Sequence, residues 1–387
     1  PRSTPKPSSA ASDVYKRQIP DKHISGICRF YLQQVSPNFR LYVSPINSDP
    51  SDSFLRITEP PQWTVEISKK LGLFPTLGFQ EAYKALQNKV FTDDEFAVQA
   101  NYVLQERLKL LEYALENYDD GLLFFYFSST DLQSHMFWWD SDEKHPTRSA
   151  EDAKKYFKHI HKLYQKLDSV LGSILRRFGD KATIIVLSDH GFANFKRQFN
   201  LNSWLRDNGY IQPSHSTSIL RDVDWSKTKA YGLGINGLYI NLKGRERDGI
   251  VEPGPQREEL IKELIAKLEA VRDVNGRRVI HKVHRTDHVY HGSATTLAPD
   301  LVIGYCRGYR ASWATCLGDM TKEVLLDNDL AWSADHCADV SLLPGVIFSN
   351  RPIRMANPAL IDVAPSILAE FGLKIPALMQ GKNIFVS

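Results

Sequence analysis

The sequence predicts an α/β fold in which helices pack on a mainly parallel sheet. Three observations carry that expectation. Two apolar runs of strand length, residues 122–127 and 183–187, each stop abruptly at a polar turn, as strands buried on both faces do. Between them, residues 151–178 keep one apolar face at helical spacing. A helix joining two buried strands is the βαβ unit of a parallel sheet, with a right-handed crossover.

Each element can be justified in chain order. Residues 1–18 are rich in Pro, Ser, Ala and Lys and contain no apolar core, so they read as a disordered or non-native leader and not as a signal peptide. Prolines punctuate residues 19–61, with one strand-like stretch at 39–43. Thr92-Asp93-Asp94-Glu95 offers a capped acidic start. The amphipathic helix it opens runs to about Tyr118 and carries Phe96, Val98, Tyr102, Val103, Leu108, Leu110, Leu111 and Leu115.

The first apolar run ends in Ser128-Ser129-Thr130-Asp131, with His135 four residues beyond the aspartate. A loop at a strand's carboxyl end turns such a pair toward one ion, and Phe137, Trp138 and Trp139 offer a wall against water. In the helix 151–178, His159 and His161 are two apart, point different ways and read as solvated. The second run delivers Ser188-Asp189-His190-Gly191 to the carboxyl edge of a sheet, where ligands gather in open α/β folds. An oxygen donor beside an imidazole suits a divalent cation such as zinc.

After Gly191 the pattern loosens. A short helix is expected at 200–208, closed by Gly209, with a strand at 238–242, a helix at 257–272 and a strand at 301–303. Long excursions between strands carry lids and substrate contacts, so a substrate cap is expected around 195–295. Trp332-Ser333-Ala334-Asp335-His336 places His336 in a polar loop, before a strand at 346–348 and a helix at 359–371 closed by Gly372. Every candidate ligand also has an ordinary reading. Asp131 suits a helix N-cap, His135 the surface or a satisfied place in the core, Asp189-His190 a turn and cap, and His336 a loop.

Composition narrows the function. At 387 residues and 42% hydrophobic content, the chain can bury the core of one large or two smaller domains. Its 48 basic and 45 acidic residues leave a charge of +3, too small and dispersed for a nucleic-acid or anionic-membrane surface. The longest apolar run falls far short of the roughly 20 residues of a membrane helix. The four cysteines have no Cys-x-x-Cys spacing. Cys306 and Cys316 could pair in a secreted chain, and buried free thiols are the plainer reading.

Taken together, the motifs are more specific than any one of them. Asp131-x-x-x-His135, then Ser188-Asp189-His190-Gly191, then Asp335-His336 before Pro344-Gly345-Val346-Ile347-Phe348-Ser349-Asn350 occur in the order seen in the alkaline phosphatase superfamily. Within it the chain most resembles the type I phosphodiesterase/nucleotide pyrophosphatase family, over roughly residues 40–387. Ala298-Pro299-Asp300-Leu301 and Ile361-Asp362-Val363-Ala364-Pro365-Ser366-Ile367-Leu368 resemble that family's late landmarks.

The resemblance implies a three-layer α/β/α sandwich, alkaline phosphatase-like, formed by residues 19–387 as a single domain with the cap-like insertion. It also implies two divalent metal ions, usually zinc: Asp131, His135 and His336 on one, Asp189 and His190 on the other. The expected activity is hydrolysis of a small phosphorylated substrate, a phosphodiester or nucleotide, and the family favours a periplasmic or secreted location. The alternatives are another superfamily enzyme (a sulfatase, phosphonate hydrolase or phosphoglycerate mutase) or a non-catalytic metal-binding fragment. One departure stands out. The family's first strand and its Thr or Ser nucleophile have no match in residues 1–120, where Ser44, Thr76 and Thr92 sit in loops or a cap. The nucleophile is therefore unassigned and is expected to be absent from this chain.

Overall fold

Thr92 closes the start of a helix over Asp93–Glu116, with its side chain accepting from Glu95 N and the Glu95 carboxylate accepting from Thr92 N. In the computed structural model, which describes residues 17–19, 22–141, 145–214 and 219–386, this helix is the spine of the first of two units, Pro1–Met136. The expected leader lies outside the described residues except for Arg17 and Gln18, in the short strand Arg17–Ile19.

Phe96, Ala100, Val103, Leu104, Leu111 and Leu115 form the helix's buried stripe, while Val98 and Tyr102 are exposed. Around it lie two antiparallel pairs, Phe30–Gln34 with Arg40–Val43 and Gly26–Ile27 with Asn47–Ser48. The strand expected at 122–127 does not form. Leu122, Phe124 and Tyr126 are exposed, and among the described residues the segment pairs with no strand. Its apolar content satisfied the pattern for a buried strand, but a strand is buried on both faces only where the chain supplies neighbours.

The second unit, Phe137–Ser387, holds the largest core. A four-stranded antiparallel sheet runs in the order Ile280–Arg285, Leu301–Tyr305, Gly237–Ile240, Ala230–Gly232. The helix Pro255–Glu269 buries Leu260, Ile261, Leu264 and Leu268 in the same core. A second sheet is built on Ala193–Phe199, which pairs in parallel with Gly308–Ala311 and antiparallel with Leu325–Asp327 and Ala334–Asp335. The short helix Leu201–Asp207 and the terminal helix Val363–Glu370 form as expected, followed by Gly209 and Gly372 at positive φ.

The fold is mixed α/β, but its sheets are small and mostly antiparallel, and the mainly parallel central sheet is not what the described residues form. Ile185–Leu187 is a half-buried strand whose partner is the antiparallel Ile347–Ser349. No βαβ crossover joins the two runs, because residues 122–127 form no strand among the described residues and Ile185–Leu187 pairs with a segment far along the chain. The helix expected over 151–178 is interrupted: Ala150–Lys155 is separated from His159–Phe178, and Lys158 stands at φ 63°. His159 is not solvated either. Its ring packs on Phe137 with centroids 4.2 Å apart, and burial lowers its pKa to about 4.

All four cysteines are free, as the plainer reading had it, but half-buried and not buried. Among the described residues no helix is long and apolar enough to cross a membrane.

Candidate metal site

Asp131 and His135 lie on the helix Ser128–Phe137 and not on a loop. A spacing of four places both on one helix face, and Asp131 Oδ1 stands 3.5 Å from His135 Nε2. That separation is longer than a normal N–H···O hydrogen bond. It matches two donors on one zinc, which at about 2.1 Å each and a tetrahedral angle stand roughly 3.4 Å apart. The His135 side chain is 2% exposed and that of Asp131 21%. The helix start is fixed by Ser129 Oγ, which donates to Glu81 Oε1 at 2.7 Å, and burial raises the pKa of this glutamate.

In the second unit the strand Ile185–Leu187 leads into Ser188-Asp189-His190-Gly191. This turn is locked to residues 343–346. Ser188 N donates to Val346 O (2.9 Å), Val346 N to Ser188 Oγ (3.0 Å) and Gly191 N to Leu343 O (3.1 Å). Two glycines permit the approach: a Cβ on Gly345 would lie 2.5 Å from Ser188 O, and one on Gly191 would lie 2.9 Å from Pro344 O. The Pro344-Gly345 landmark is thus the clamp on the Asp-His turn.

Asp189 Oδ2 lies 3.5 Å from His190 Nε2, the same separation as in the first pair. His190 Nδ1 is 3.1 Å from Gly191 O, so in the neutral ring Nδ1–H donates there. That tautomer leaves the Nε2 lone pair beside the aspartate, the form a metal needs.

His336 follows the strand Ala334–Asp335. Its ring stacks on that of His190 with centroids 3.6 Å apart and planes 16° from parallel. Phe192 packs edge-on at 5.5 Å from both imidazoles, and Trp138 packs on Phe192. Of the aromatic wall expected from sequence, Trp138 serves through Phe192, whereas Phe137 and Trp139 are buried around Tyr156. Burial pushes the His336 pKa below its ordinary value, which favours the neutral imidazole.

Asp335 and Cys337 also flank His336 within ligand reach, but their chemistry is spent elsewhere. Asp335 Oδ2 accepts the Trp332 indole N–H (2.7 Å) and lies 2.8 Å from Arg310 Nε; Oδ1 accepts His336 N (2.8 Å) and Cys337 N (3.0 Å). Burial pushes the Cys337 thiol up to about 12, so it stays protonated. Asp335 is the frame of the His336 loop. Sequence reasoning missed Phe192, although it directly follows the Asp-His-Gly turn, and Arg310, which has no local signal at all.

The other landmarks are structural as well. Asp300 is fully buried and accepts from Arg245, Arg257 and Ile240 N, which ties the four-stranded sheet to its helix. Asp362 accepts from Ala359 N and Lys382 N, and Ser366 Oγ donates to Asp362 O while accepting from Ile384 N. Two clefts open in this unit, one of about 730 Å³ beside Arg245, Arg257 and Tyr290 and one of about 530 Å³ beside Trp225, Tyr231 and Leu317. None of the five candidate ligands lines either cleft.

Comparison with known families matches residues 47–314 to the model of the type I phosphodiesterase / nucleotide pyrophosphatase family. The matched span includes Asp131, His135, Asp189, His190 and Asp300, and ends before His336. No curated protein matches the chain.

Proposed function

The chain belongs to the type I phosphodiesterase/nucleotide pyrophosphatase family, a family of phosphoric ester hydrolases, and we propose that it hydrolyses phosphodiester or pyrophosphate bonds with two bound divalent cations, zinc by the chemistry of its donors. Asp131, His135 and His336 are the ligands of one ion in this reading, and Asp189 and His190 belong to the other. An alkaline phosphatase-like α/β/α arrangement is part of the same reading.

The observation that carries it is the repeated 3.5 Å separation of carboxylate oxygen and imidazole Nε2 in two Asp–His pairs of different local structure, a helix and a turn. When bound, two such cations stabilise the attacking and leaving oxygens and neutralise the non-bridging oxygens of a phosphoryl group. Asp131 and Asp189 supply the compensating negative charge. Burial of His336 favours the neutral imidazole that ligation requires, and Phe192 covers one side of the His190–His336 pair against water. Selection among phosphodiesters and nucleotides belongs in this reading to the region around 195–295, whose residues make up most of the lining of both clefts.

Zinc per chain, measured by elemental analysis after dialysis of the natural sequence, His190→Ala and His336→Ala, tests the assignment. Each substitution should remove metal from one site and leave the other. Unchanged zinc in His190→Ala would sink the ligand assignment. Hydrolysis of bis(p-nitrophenyl) phosphate decides whether this chain, in which no nucleophile is assigned, is itself competent: turnover should fall with the zinc lost, and no turnover with zinc bound would leave a non-catalytic metal-binding fragment.

A further inference from the structure

His336 sits where the strand Ala334–Asp335 gives way to a loop, and a ligand on a loop needs anchoring from more than one side. Asp335 supplies one anchor through its bonds to His336 N and Cys337 N. The other side of the loop is held by the four-stranded sheet. Cys337 O accepts from Asn236 Nδ2 at 2.9 Å, Ala338 bridges to Tyr305, and Asp339 N donates to Tyr305 O at 2.9 Å while its side chain pairs with His284.

Asn236 is the last residue of the connection between Ala230–Gly232 and Gly237–Ile240, with φ 63°. Asparagine is one of the few side chains that accept this left-handed conformation at low cost. Its own carbonyl is fixed by Ile303 N at 2.8 Å, so the amide reaches Cys337 from a rigid base.

We propose that Asn236 is a positioning residue for His336. Its side-chain amide fixes the peptide that follows the imidazole, so that the four-stranded sheet sets the direction in which His336 presents its nitrogen. This rests on the metal reading above, and it adds that Asn236 governs one ligand from far along the chain, through a carbonyl 101 positions away.

Two variants test it. Asn236→Asp keeps shape and backbone tolerance but turns an oxygen toward the Cys337 carbonyl, and Asn236→Gly keeps the left-handed backbone and removes the side chain. Thermal unfolding in excess chelator controls for folding. Amide hydrogen exchange of the peptide spanning 336–339, followed by mass spectrometry in zinc-free protein, should accelerate several-fold in both. Zinc affinity, by competition with a chromophoric chelator, should weaken about tenfold at one site. That loss should vanish in a His336→Ala background. Unchanged exchange overturns the proposal, as does faster exchange with wild-type zinc affinity, or an equal loss without His336. If the natural sequence takes up no zinc, the metal reading falls and the exchange rates alone decide the tether.

Discussion

Arg310→Met removes the positive partner of a carboxylate that frames the His336 loop. The two side chains are 3% and 4% exposed, with Nε and Oδ2 2.8 Å apart. Methionine keeps much of the stem packing against Trp313, over whose ring the guanidinium carbon lies at 4.1 Å. What remains is a buried carboxylate that keeps two backbone N–H groups and one indole but has lost its cation. Breaking a buried pair in this way costs roughly 3–5 kcal/mol. At about 2–4 °C per kcal/mol for a unit of this size, Tm should fall by roughly 6–20 °C. Thermal unfolding followed by circular dichroism in a chelating buffer reads the change without metal linkage.

Two comparisons isolate the cause. Asp327→Asn breaks the Arg197–Asp327 pair, whose acid is 66% exposed, and should cost no more than about 1 kcal/mol. The double variant Arg310→Met/Asp335→Asn removes both charges and keeps an oxygen for His336 N and Cys337 N, so it should recover part of the loss, the remainder being the Trp332 indole N–H that the new NH2 faces. A single variant within about 2 °C of the natural sequence, judged against that Tm scale, would refute the reasoning, as would a double variant no better than the single.

Two further outcomes follow from the same structure. His159 is held near pKa 4 by burial while the unfolded chain titrates near 6.5, so the unfolded state binds the extra proton between those values. Stability should therefore fall as pH drops from 6.5 to 4, by up to about 3 kcal/mol; urea unfolding of His159→Phe should show a flatter profile, and parallel profiles would reject the assignment. Gly345→Ala forces a Cβ to 2.5 Å from Ser188 O. It should cost about 1–3 kcal/mol and weaken zinc binding at the Asp189-His190 turn, and a variant with natural Tm and zinc affinity would show that the clamp is dispensable.

The sequence by itself determined what is encoded over a few residues. The capping box at Thr92 and the apolar spacing behind it specify the helix Asp93–Glu116, because each contact lies within one or two turns. The spacing of Asp131 and His135 and the adjacency of Asp189 and His190 were likewise legible, although the first pair rides on a helix where a loop was expected. Tertiary structure alone decided which apolar run became a strand and with what partner. Residues 183–187 and 122–127 read alike, yet one pairs antiparallel with Ile347–Ser349 and the other forms no strand among the described residues. It also decided that Arg310 would neutralise Asp335 and that Asn236 would hold Cys337. No local pattern records such pairings. Their free energy arises only when distant segments meet, and that depends on loop closure and on competing partners across the whole chain.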